Sequence, residues 1–181
     1  EPFSLILFDH HTDLAPDGGS PILSCGSWVS AALDNLPFLN PVVIVGAHPR
    51  SRGQTCGISG KVSIISEQEA SLASPSEVVR AIRSVLPDQP VYISVDKDVL
   101  GREHAVTNWD QGSMALGQLL EMLRELKRFH RIAGVDVCGE LPLSPVDLLS
   151  GERLRQARKN ELANKAIVDT LLFGNLCYDG Y

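Results

Sequence analysis

A chain of 181 residues, 44% apolar and 21% charged, has the size and composition of one soluble globular domain with a full hydrophobic core. Its net charge of −6 and the lack of any basic run or stripe argue against a nucleic-acid surface. No apolar run approaches the roughly 20 residues of a membrane-spanning helix. Four cysteines, Cys25, Cys56, Cys138 and Cys177, form no CxxC pair, which argues against a zinc ribbon or redox couple and fits reduced thiols in the cytoplasm.

The first residues, Glu1-Pro2-Phe3, read as the approach to a strand rather than as a signal peptide. Phe3 to Phe8 is a short apolar run ending in charged residues, the pattern of a buried parallel strand with function at its carboxyl end. A loose helix is expected over Ser27 to Leu33, ending before Pro37. Pro41 to Val45, closed by Gly46, reads as a second strand, and the loop from Gly46 to Gly60 as exposed. Lys61 to Ile65 alternates like an edge or half-buried strand. Ser74-Pro75-Ser76-Glu77 is a helix start: Ser74 can cap, Pro75 suits the first turn, and Glu77 stands where a capping box needs it. Val78, Ile82 and Val85 then supply a buried face. Pro90 to Val95 is the fourth strand. Ser113 to Phe129 is the clearest helix, with Leu116, Leu119, Leu120, Leu123 and Leu126 on one face. Arg131 to Val137 is the fifth strand, and Glu152 to Phe173 a long final helix. Strands alternating with helices predict a three-layer α/β/α fold around a mainly parallel sheet, as one domain over residues 1–181. In such sheets ligands bind outside the carboxyl ends of the strands.

Two strand ends carry the chemistry. In Asp9-His10-His11-Thr12-Asp13, two carboxylates and an imidazole occupy alternate positions, so Asp9, His11 and Asp13 can converge while His10 points away. In Asp96-Lys97-Asp98, two carboxylates close a buried strand and repel each other unless a cation or proton intervenes. Read alone, either motif could be a polar turn in which Asp13 or Asp98 caps the next segment. Together they predict a divalent-metal site, and a carboxylate bridging from each motif could hold two ions about 3.5 Å apart.

Asp9-x-His11-x-Asp13 together with Ser94-Val95-Asp96-x-Asp98 resembles the ureohydrolase family of arginase, agmatinase and formimidoylglutamase, which carries D-A-H-x-D and S-F-D-x-D motifs on adjacent parallel strands. Gly134-Val135-Asp136-Val137 resembles a further segment of that family. The resemblance implies an arginase-like fold and two Mn²⁺ ions, with Fe²⁺, Zn²⁺ or Ni²⁺ as alternatives. Asp9 and Asp96 would bridge, His11 and Asp98 would hold one ion, and Asp13 the other. It further implies hydrolysis of a linear C–N bond in a guanidine or amidine by a metal-bound hydroxide, a small-molecule substrate and a homo-oligomer.

Three departures qualify the match. The family carries a further ligand histidine in an upstream G-G-D-H-S/T motif that does not occur here, so either an amino-terminal part is lacking or one ligand has been lost; His48 is the local candidate to replace it. Cys25, in Leu23-Ser24-Cys25-Gly26, stands where arginases have a proton-shuttling or substrate-contacting histidine, and is either a substrate-binding group or a structural thiol. Glu140 lies one position beyond the family's guanidinium-holding glutamate, and is read as a catalytic and substrate-binding residue or a surface glutamate. Asp13, His104 and Glu140 are the expected catalytic residues. Asp110 is a further site candidate; Trp109 could wall a pocket, and the favoured reading has it lead into the following helix and pack in the core. The competing readings are a non-catalytic or single-metal member of the arginase/deacetylase fold, and a deacetylase-like hydrolase, whose transition-state tyrosine would have to be Tyr92, Tyr178 or Tyr181.

Overall fold

The computed structural model describes residues 1–15, 23–51 and 60–172. Cys56, Cys177, Tyr178, Tyr181 and most of the predicted 46–60 loop lie outside them. Five strands, β1 (Phe3–Phe8), β2 (Leu39–Ala47), β3 (Val62–Ser66), β4 (Val91–Asp96) and β5 (Ile132–Cys138), form one sheet in the order β3-β2-β1-β4-β5. Every pairing is parallel. The chain builds β1, β2 and β3 outward in one direction, then returns to lay β4 on the other side of β1. That reversal makes a topological switch point between β1 and β4, where an open parallel sheet forms a crevice at its carboxyl edge.

The sheet is covered on both faces. On one face Ile6, Phe8, Val43, Val45, Ile93 and Val95 pack against α2 (Glu67–Leu72), α3 (Pro75–Val85), α4 (Leu116–Phe129) and α5 (Gly151–Leu172). On the other, Leu5, Leu7, Val42 and Ile44 pack against Val29 and Leu33 of α1 (Trp28–Asn35). Odd and even positions of β1 thus enter different cores, as strand pleat requires, and β1 is nearly continuously apolar because both its faces are covered. The three-layer reading holds, and β3 is the half-buried edge strand its alternation predicts.

Local signals account for most helix boundaries. Ser74 caps α3 in a full capping box with Glu77, with Pro75 in the first turn. The helical face differs slightly from expectation: Val79 is buried and Val85 is 45% exposed. A second capping box, Ser66 with Glu69, starts α2, a six-residue helix that sequence periodicity did not reveal. The predicted Ser113 start of α4 moves to Leu116 because the Ser113 hydroxyl donates to Glu67 (2.6 Å) instead of capping the helix. Leu119, Met122, Leu123 and Leu126 form the fully buried face of α4, with Leu116 and Leu120 partly buried beside it. None of the described helices is long and apolar enough to cross a membrane.

Candidate metal centre

Asp9 and Asp96 face each other across the switch point because β1 and β4 run in register, with Phe8 opposite Val95. The backbone then folds back on its own carboxylates. The His11 N–H donates to Asp9 Oδ1 (2.6 Å), the Asp98 N–H donates to Asp96 Oδ1 (2.9 Å), and the His10 N–H donates to Asp98 Oδ1 (3.0 Å), tying together residues 88 apart in the chain. His11 Nδ1 lies 2.8 Å from Asp98 Oδ2. Asp13 adopts a positive φ of 52° and turns its carboxylate inward, where Oδ2 accepts the Trp28 indole N–H at 2.6 Å. Asp9, His11, Asp13, Asp96 and Asp98 all line one cavity of about 250 Å³, together with Thr12, Ala15, Cys25, Gly26, Ser51 and Trp109.

Metal-binding potential arises from the electrostatics. Asp9 and Asp98 are almost wholly buried, at 2% and 1% exposure. Burial, reinforced by the neighbouring charges of Asp98, Asp13 and Asp96, pushes the Asp9 carboxyl up to about 8 despite its hydrogen bond from His11. Asp13 is pushed up to about 6, chiefly by burial, and Asp96 is raised by burial and by Asp98. His11 is pushed up to about 10 by its hydrogen bonds to Asp9 and Asp98. No lysine or arginine is among the described lining residues, so no fixed side-chain cation offsets the carboxylates from within the cavity lining. One donor atom each from Asp9, His11 and Asp98 lies within 4.8 Å of the others, a set a single ion can span. Mixed carboxylate and imidazole donors suit a divalent ion of borderline hardness. The residues present therefore fit such an ion.

The structure separates the other expected site residues. Cys25 lines the cavity. His104 does not: its backbone N–H is held by Gly101 O, and its ring lies 3.7 Å from the Glu103 carboxylate. Asp110 is exposed and outside the lining. Glu140 is also outside it, its carboxylate committed to Lys97, Asn164 and Asn160. His48 stacks edge-on against His10 (ring centroids 5.3 Å apart) and accepts the Arg50 N–H, again away from the cavity. Trp109 departs from the core role expected of it. Thr107 Oγ1 accepts the Trp109 backbone N–H (3.3 Å), and the indole is left 51% exposed at the cavity mouth, edge-on to the His11 ring at 6.2 Å.

Two supporting residues escaped sequence reasoning. Trp28 holds Asp13, and nothing local to either residue announces a contact 15 positions apart. Gly139 comes directly after β5 with φ of +78°; a Cβ there would collide with the Asp96 carboxylate and lie 2.7 Å from the Lys97 backbone nitrogen. A glycine directly after a strand was the available signal, since both the conformation and the close approach demand it. Gly139→Ala is therefore expected to displace Asp96 and weaken Mn²⁺ binding at least tenfold, measured by calorimetric titration, with the far-ultraviolet circular dichroism unchanged.

A parallel α/β sheet with clustered carboxylates and an imidazole at its central strand ends defines an arginase-like fold with a candidate metal site. Residues 1–145 match the family model described as the Arginase family, and the chain belongs to that family. It is 31% identical over 177 residues to an uncharacterised protein of Thermotoga maritima, covering 98% of this chain and 61% of that protein. Among solved structures, arginase from Bacillus caldovelox superposes with a TM-score of 0.75 at 16% identity, covering 97% of this chain and 62% of the arginase. A hypothetical agmatinase from Burkholderia thailandensis superposes at 0.69 and 20% identity, covering 93% and 51%. The chain thus spans about three fifths of the Thermotoga relative's length.

Proposed function

We propose that this chain carries the metal centre of a ureohydrolase-type hydrolase that cleaves a linear C–N bond in a guanidine or amidine. The observation that carries the reading is the convergence of Asp9, His11, Asp13, Asp96 and Asp98 on one cavity at the switch point. Asp9, His11 and Asp98 would hold one divalent ion, and Asp13 and Asp96 would hold a second. Mn²⁺ is the expected metal, with Fe²⁺, Zn²⁺ or Ni²⁺ able to serve the same donors. Bound ions would supply activation of water near neutral pH and charge to offset the carboxylates. The protein supplies the rest. Trp28 fixes the orientation of Asp13, and the backbone N–H groups of His10, His11 and Asp98 fix the other carboxylates. Trp109 walls the mouth, where its exposed indole can lie against a flat cationic group and exclude water. Cys25 and Ser51 offer hydrogen-bonding groups within the cavity.

A single-ion, non-catalytic member of the family is the second reading. It is favoured by the restriction of the compact donor set, among described residues, to Asp9, His11 and Asp98. Titration with Mn²⁺ separates the two. Two ions per chain, the second weaker, together with release of urea, ammonia or amine from a panel of guanidines and amidines, supports the hydrolase. One ion and no turnover supports the second reading, and no ion rejects both. Trp109→Ala is expected to weaken benzamidine binding about tenfold, a loss of about 1.4 kcal/mol, while leaving Mn²⁺ stoichiometry unchanged; unaltered benzamidine affinity would remove Trp109 from the site.

A further inference from the structure

The ligand cluster accounts for Asp96 and Asp98 but not for the residue between them. Lys97 is fully buried, a rare condition for a lysine and one that demands partners. Its ammonium pairs with Glu140 and donates to Asn164 Oδ1 at 2.7 Å. The Glu140 carboxylate accepts from Asn164 Nδ2 (2.8 Å) and Asn160 Nδ2 (3.2 Å). Asn160, only 3% exposed, also grips both backbone groups of Val106: its Oδ1 accepts the N–H at 2.7 Å and its Nδ2 donates to the carbonyl at 2.8 Å. Asn160 and Asn164 stand one turn apart on α5, so they share a face. That face continues into Ala163, Ile167 and Leu171, which are buried in the main core. A short polar stretch of α5 thus holds the turn at Lys97, the loop at Glu140 and the segment that leads from Val106 to Trp109.

Lys97 faces away from the cavity that its two neighbours line. The turn cannot rotate to separate Asp96 from Asp98 without drawing the fully buried ammonium away from Glu140 and Asn164, the side chains that pair it. The anchor on α5 therefore opposes the repulsion that would spread the two carboxylates in the ion-free protein. An ion that draws them together favours the same arrangement. Two events that each favour one arrangement must favour each other, and by linkage they do so equally.

We propose that Lys97 is a positioning residue that couples divalent-ion binding at the Asp96–Asp98 turn to the docking of α5. The coupling rests on the metal reading above and goes beyond it, because it gives α5 a part in ion affinity. The test uses Mn²⁺ as the probe on wild type, Lys97→Met and Asn164→Ala, with calorimetric titration and amide hydrogen exchange over residues 160–171. In wild type, saturating Mn²⁺ should slow exchange in α5 about tenfold, within the usual range of coupling between sites. Lys97→Met should bind Mn²⁺ about tenfold more weakly, and the ion should no longer slow exchange in α5. Asn164→Ala should move both readouts in the same direction by less, and it decides the matter if Lys97→Met does not fold. Wild-type Mn²⁺ binding with no change in α5 exchange, or unchanged affinity and α5 response in the variants that fold, overturns the coupling while leaving the metal site standing. No Mn²⁺ binding by the wild type overturns the metal reading and the coupling with it.

Discussion

Asp9→Asn is expected to abolish measurable Mn²⁺ binding and, in the same experiment, to stabilise the ion-free protein at pH 8. The substitution keeps an oxygen to accept the His11 N–H and removes the charge at the centre of the cluster. The stability gain comes from proton linkage. The Asp9 carboxyl rises from an ordinary 3.8 to about 8 in the fold, so the folded state binds its proton more tightly than the unfolded chain. Stability of the ion-free protein is then highest below pH 4 as far as this group is concerned, and falls as pH climbs towards 8. His11 acts in the same direction. Its folded value of about 10 gives a contribution that is complete below 6.5 and lost as pH rises through 10. Asn at position 9 removes the penalty on the Asp9 carboxylate but also the anion whose hydrogen bond is the largest cause of the raised His11 value, so the net gain at pH 8 should be on the order of 1 kcal/mol. That corresponds to a rise of about 2 to 4 °C in Tm for a chain of this size. Mn²⁺ binds the deprotonated cluster, so the wild-type Tm shift on adding the ion should be larger at pH 8 than at pH 5. Retained Mn²⁺ affinity in Asp9→Asn would reject the centre.

Glu140→Ala is expected to lower stability by about 3 kcal/mol, measured by urea denaturation. Removing one partner of a buried pair leaves the other charge uncompensated, and Lys97 has no exposure to water. The figure sits at the low end for buried pairs because the Glu140 side chain is itself 55% exposed and Asn164 Oδ1 still accepts from the ammonium. Burial alone would raise the Glu140 carboxyl, but hydrogen bonds from Asn164, Lys97 and Asn160 outweigh it and hold the group below its usual value, in keeping with a committed counter-ion. A substrate-binding glutamate would behave differently, giving a weaker KM with little change in the denaturation midpoint. The two outcomes separate the role suggested by its position after β5 from the one suggested by its contacts.

The features readable without coordinates were those whose cause is local. β1 and β4 read as apolar runs because both faces of a central parallel strand are covered, and Asp9, His11, Asp13, Asp96 and Asp98 read as candidate ligands because alternate residues at a strand end share a face. The Ser74 capping box gave the start of α3 for the same reason: all its partners lie within three residues. The Ser66 capping box was equally local, but α2 is too short for the apolar period that would have drawn attention to it.

The rest was set by partners distant in the chain. Phe8 meets Val95 only because β4 returns to the far side of β1, and that register turns two motifs into one cavity. Gly139 is obligatory because of Asp96, 43 positions earlier, and Asp13 is oriented by Trp28. Glu140 lies one position beyond the family's guanidinium-holding glutamate in a linear reading, yet Lys97, Asn160 and Asn164 draw it to α5. A buried ammonium must be paired whatever motif its partner belongs to, and no local pattern records that demand. The amino-acid sequence by itself marked the candidate donors and the strands that carry them. Only the tertiary structure decided which carboxylates face the cavity and which one is spent behind it, because that choice depends on the pairing of charges far apart in the chain.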